Sequence, residues 1–155
     1  MTISEADGVI LGTPTYASSM SGQLKTFVDR GHFVIEQLLK NKHTIGVVTF
    51  ENAGGGSAVK ALKKLCVFSG ARTYNSIIVK LLFNSNPLEL SKIENRIKRK
   101  SDQLYNSILR NKAPNVLNAT LHFFVFQFGI KPFVLKKGDT YDGVRKHWEK
   151  RNIKI

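Results

Sequence analysis

Cysteine is nearly absent: Cys66 is the only one in 155 residues. That excludes an intrachain disulfide, and any cysteine-built zinc or iron-sulfur centre supplied by one chain. A reducing, cytoplasmic setting is the expectation. Histidine offers no substitute, because His32, His43, His122 and His147 are scattered without metal-ligand spacing, and no metal site is read from them. No run reaches the ~18 apolar residues of a membrane span, and MTISEADGVILG has no basic stretch followed by a long apolar one. Acidic residues are scarce too, 11 against 24 Lys and Arg, for a formal charge of +13. Acidic partners, nucleic acid and anionic lipid therefore come into consideration. Of this excess, +3 lies before a cut after Val79 (8 basic, 5 acidic) and +10 after it (16 basic, 6 acidic).

What is present suits one compact domain, with a hydrophobic fraction of 42% to fill its core. Gly8 to Leu11 reads as a buried strand running into a loop at Gly12, Thr13 and Pro14. Met20, Leu24, Phe27, Val28, Ile35, Leu38 and Leu39 recur at helical spacing, with a break expected near Gly31. Thr44 to Phe50, TIGVVTF, is a β-branched run fitting a strand buried on both faces. It enters ENAGGGSAVKALKKL, where three glycines precede a helix bearing Val59, Leu62, Leu65 and Cys66, with Gly70 as its stop. Tyr74 to Leu82 supplies a third strand. Asn86, Pro87 and Glu89 then have the identities of an N-cap, an N1 proline and an N3 glutamate. Leu90, Ile93, Ile97, Leu104 and Ile108 stripe the helix that follows.

This β-α alternation predicts a parallel sheet with crossover helices. After Pro114 the text changes to LHFFVFQFGI, a turn at Lys136 to Gly138, and YDGVRKHWEKR. The expected division is 1–112 for the α/β part and 113–155 for a helical extension, packed on it or in a dimer contact.

Open α/β sheets bind ligands beyond the carboxyl ends of their strands, which selects two loops. GTPTYASSMSGQ joins a proline, an aromatic and several hydroxyls, a composition able to lie along a flat ring. ENAGGG lets backbone approach a ligand closely and presents N-H groups at a helix N-terminus. ADGVILGTPTYASSMSGQLKTFVDR resembles the strand, flavin loop and helix of NADPH-dependent FMN reductases and related flavodoxin-like quinone reductases and iron-sulfur flavoproteins. The resemblance rests on ADG before the strand, the Gly-Thr-Pro-x-Tyr turn, Ser-Gly-Gln-Leu-Lys and Asp29-Arg30; ENAGGG resembles the family's next flavin loop.

The resemblance implies that Thr13, Pro14, Thr15, Tyr16, Ala17, Ser18 and Met20 line the isoalloxazine of FMN, with Glu51, Asn52, Ala53, Gly54, Gly55 and Gly56 meeting it from the second loop. It implies a flavodoxin-like three-layer sandwich and hydride transfer from NAD(P)H to a quinone, flavin or similar small acceptor. No catalytic acid or base is assigned. Asp29 and Arg30 read as a structural pair at a helix end, and Lys25 as a surface shield. Family members usually carry a strand, a phosphate loop, a helix and a second strand ahead of ADG. On the flavodoxin order 2-1-3-4-5 this sequence supplies strands 3, 4 and 5, an incomplete sheet with three parallel strands, expected to bind FMN weakly and to expose an edge. Self-association, or the aromatic tail, would cover that edge, and a homo-oligomer is expected. The competing reading is a truncated, non-catalytic remnant or interaction domain. The basic helix from Leu88 to Asn111 reads as a solvated face rather than a nucleic-acid or anionic-membrane interface.

Overall fold

The computed structural model describes residues 2–82, 91–150 and 152–153. Its sheet is built on β3 (His43–Phe50), which pairs in parallel with β1 (Gly8–Tyr16) on one side. On the other side β3 meets two short strands in tandem, β4 (Arg72–Thr73) at its start and β5 (Ile77–Lys80) at its end. Together they fill one strand position, so three parallel strands lie side by side as expected. The third is shorter than the predicted Tyr74 to Leu82 and is interrupted before Ile77. At the interruption Ser76 leans over Gly46, where a Cβ would lie 2.9 Å from its hydroxyl oxygen.

Tyr74 still donates its N-H to the Thr44 carbonyl at 3.0 Å, and its side chain meets His43. Arg72 stands 3.2 Å from His43 Nε2 and can only donate, so the ring accepts there and gives its Nδ1 proton to the Tyr74 hydroxyl at 2.9 Å. Burial first, and the Arg72 charge second, hold the imidazole below its usual pKa, which favours this neutral form.

Helices α1 (Gly22–Leu39) and α2 (Gly55–Phe68) cover one face of the sheet, and α3 (Ser91–Leu109) covers the other. The strands alternate accordingly. Val48 packs with Met20, Ala58 and Leu62 under α1 and α2, while Ile45 packs with Ile77, Val79, Ile93 and Leu104 under α3. The break expected at Gly31 is absent, and α1 runs through it. Ile35 occupies the space over Gly31, where a Cβ would lie 2.5 Å from its side chain; packing there outweighs glycine's ~1 kcal/mol helix penalty. Gly70 does end α2, at φ +71. The capping residues read at Asn86, Pro87 and Glu89 lie outside the described residues.

The tail forms α4 (Val116–Phe124), a π-helical turn (Val125–Ile130) and α5 (Lys131–Lys136) as one continuous run. A 3-10 turn (Gly138–Tyr141) leads into α6 (Asp142–Lys150). Pro132 lacks an N-H and crowds the carbonyl four residues back, a sufficient reason for the wider turn just before it. That turn also keeps His122, Phe126, Ile130 and Val134 buried on one face, although a strict four-residue spacing drifts about 40° per step on an ordinary helix. Phe126, Ile130, Val134 and Trp148 form a cluster that packs against Phe33 of α1, and His122 Nδ1 donates to the Phe68 carbonyl at the end of α2. The tail is thus an outer layer on α1 and α2 rather than a cover for the sheet edge. Along Gly8 to Pro14 the outer side of β1 pairs with no strand among the described residues.

Candidate functional site

The first loop is more ordered than a loop. β1 continues to Tyr16, turns through Ala17 and Ser18, and returns as β2 (Ser19–Met20), pairing Thr15 with Met20 and Tyr16 with Ser19. Both turn residues are left-handed, Ala17 at φ 46 and Ser18 at φ 62. This is the backbone of a primed two-residue hairpin, usually made by Asn-Gly. A non-glycine residue there costs about 1–2 kcal/mol. The base of the hairpin is pinned by Thr13, whose buried hydroxyl accepts from the Ser21 N-H at 2.9 Å and donates to the Pro14 carbonyl at 2.7 Å. Ser21 in turn caps α1 by accepting from the Leu24 N-H at 3.3 Å.

The second loop leaves β3 at Glu51 and enters α2 at Gly54, which has φ +89. A side chain at Gly54 would run into the Ser18 backbone, and one at Gly55 would lie 2.5 Å from the Phe50 ring. The two loops therefore touch where only glycine fits. Gly56 faces open space.

Between them, at the carboxyl ends of the strands, lies a cleft of about 510 Å³. Pro14, Thr15, Tyr16, Ala17 and Ser18 form one wall and Glu51, Asn52 and Ala53 another. Thr13 and Met20 are not in it: Thr13 is the hairpin clamp, and Met20 is core beside Val48 and Leu62. Gly54 joins the loops from behind at Ser18, and Gly55 lies against Phe50 at the end of β3. Thr49, Phe50, Leu81 and Leu82 also line the cleft. The sequence reading missed these four, although the end of the third strand was the signal, since all three strands must deliver their carboxyl ends to the same rim. A larger cavity, about 640 Å³, opens beside Gln37, Gly70 and His122 at the amino ends of the strands, where open sheets do not usually place ligands.

The sequence of residues 1–81 matches the NADPH-dependent FMN reductase family. This chain belongs to that family. It is 37% identical over 151 residues to an iron-sulfur flavoprotein of Clostridioides difficile strain 630, an alignment covering 97% of this chain and 67% of that protein. Its fold is similar to that of an archaeal flavodoxin, with a TM-score of 0.53, 16% identity and 68% of each chain covered.

As a member of the FMN reductase family the chain can be tested for its fit to a flavin ring. Thr15 lines the cleft, and its Oγ1 is buried without a hydrogen-bond partner among the described residues, a group that a ring-edge nitrogen or oxygen would satisfy once the side chain turns toward the cleft. Tyr16 stands 64% exposed at the mouth, an aromatic free to lie against a ring. Both features are compatible with a flat ring. Among the described lining residues none is Lys or Arg, so the wall offers no cation to a phosphate. Cys66 is distant in role: it packs with Ile35, Leu39 and Ala71 beneath α2, and burial pushes its thiol up to about 11. A thiol so protonated is neither nucleophile nor ligand at neutral pH. Asp29 is not at a helix end, since α1 continues to Leu39; it pairs with Lys25 at 2.5 Å one turn away, on the surface.

Proposed function

We propose that this protein oxidises NAD(P)H through FMN held in the Tyr16 cleft and delivers the electrons to a quinone, a second flavin or a similar small acceptor. The cofactor would supply the hydride and electron chemistry. The chain would bind and orient it: the Pro14 to Ser18 hairpin along the ring, Thr15 hydrogen bonding to its edge, and Glu51 to Ala53 closing the opposite side. The unpartnered Thr15 hydroxyl beside this two-loop cleft is the observation that carries the reading, and family membership supports it. Self-association along the open side of β1 belongs to the same proposal.

A second reading, an interaction domain with impaired FMN binding, draws on the lack of Lys and Arg among the described cleft residues. Fluorescence titration with FMN and with riboflavin, together with NAD(P)H oxidation, separates the two. Micromolar binding with turnover supports the reductase. Equal, weak binding of both flavins without turnover supports the interaction domain.

A further inference from the structure

The continuous helical run from Val116 to Lys136 has two apolar faces, and only one is used. His122, Phe126, Ile130 and Val134 are buried on the domain. Leu117, Leu121, Phe124, Phe128 and Leu135 form a second stripe that faces solvent, with Leu117 75%, Phe124 53% and Phe128 73% exposed. Val116 widens it at one end, and Phe123 lies beside it. The rings of Phe124 and Phe128 stack at 5.7 Å, and Phe123 meets Phe124 edge-on at 5.8 Å, so the exposed aromatics form one patch rather than isolated residues. A contiguous patch of this kind marks an interaction site.

Charge selects the occupant. Between Asp102 and Asp139 the sequence has no acidic residue, while Arg110, Lys112, Lys131, Lys136 and Lys137 all fall in that interval. Lys136 and Lys137 are exposed at the end of the stripe. A helix with Phe and Leu on one face and lysines gathered at its C-terminal end has a composition suited to the surface of an anionic bilayer. A second copy seated on the same stripe would find no carboxylate between Asp102 and Asp139 to pair with its lysines. Spanning is excluded for this run by its docked face, and no described helix is long and apolar enough to cross a membrane.

We propose that the Leu117, Leu121, Phe124, Phe128 and Leu135 face is a peripheral membrane-docking surface for anionic lipid. The test is cosedimentation of the full chain with vesicles of phosphatidylcholine alone and of phosphatidylcholine and phosphatidylserine in equal parts. Binding is expected to the anionic vesicles. The double variant Phe124→Ser, Phe128→Ser should bind them at least about tenfold more weakly, and Lys131→Gln with Lys136→Gln should lose roughly fivefold per lysine. Unchanged circular dichroism would show that each variant folds; as all four positions lie at or near the surface, folding should persist. Should the parent stay in the supernatant, or the phenylalanine variant bind as tightly as the parent, the proposal is overturned. It is equally overturned if the parent sediments as a dimer that the phenylalanine variant dissociates, because the face then belongs to a second copy.

Discussion

Glu36 is 3% exposed on α1, with Oε1 3.3 Å from His32 Nε2 and Oε2 without a partner among the described residues. Burial raises its pKa from 4.5 to about 7. A carboxyl whose folded pKa exceeds its unfolded one opposes folding once ionised, so its contribution is most favourable below pH 4.5 and is lost as pH rises toward 7. The loss amounts to roughly 3 kcal/mol. Glu36→Gln should therefore be more stable than the parent at pH 8 by about 1–3 kcal/mol and lose much of this difference at pH 5, as urea denaturation at the two pH values would report. Equal differences at both pH values would contradict the assignment. Sequence could not single out this residue. Helical spacing marked Ile35 and Leu39 as inward, but it does not mark Glu36 and Gln37, and Gln37 lies beside His122 and Phe126 of the tail.

At the scale of elements, the strands and the two loops were legible because buried parallel strands are written as apolar, β-branched runs and the following turns are rich in glycine or proline. The hairpin was not. Ala17 and Ser18 lack the Asn-Gly signature of a primed turn, so residues that form β2 read as loop. The three glycines read as a single ligand-facing unit, yet Gly54 meets Ser18, Gly55 meets Phe50, and Gly56 alone is open. Gly54→Ala tests that division. A Cβ at φ +89 is strained and collides with the hairpin, so stability should fall by at least about 1–2 kcal/mol. The hairpin must shift, weakening flavin binding by about tenfold or more, whereas Gly56→Ala should leave the titration nearly unchanged. Identical losses from both variants would show that the loops are not coupled through Gly54.

For the whole molecule, the α/β class and the adjacency of the three parallel strands followed from the order of elements. The placement of the tail did not, because an apolar helix face has the same periodicity whether it covers a sheet, a helix pair or another chain. With the tail on α1 and α2, β1 keeps an open side, and Ile10 is 64% exposed on it. Such strands pair readily with other chains, and charge deters the pairing. Ile10→Lys should reduce concentration-dependent association in light scattering while changing stability by no more than about 0.5 kcal/mol; association equal to that of the parent would move the contact elsewhere. The packing of Phe33 against the cluster that contains Trp148 carries one more consequence, for the order in which the protein is made. α1 leaves the ribosome before the tail does, and its apolar outer side stays bare until α6 has been synthesised. The sheet can close before then, but the nascent chain must carry an uncovered patch around Phe33 until the tail has followed it.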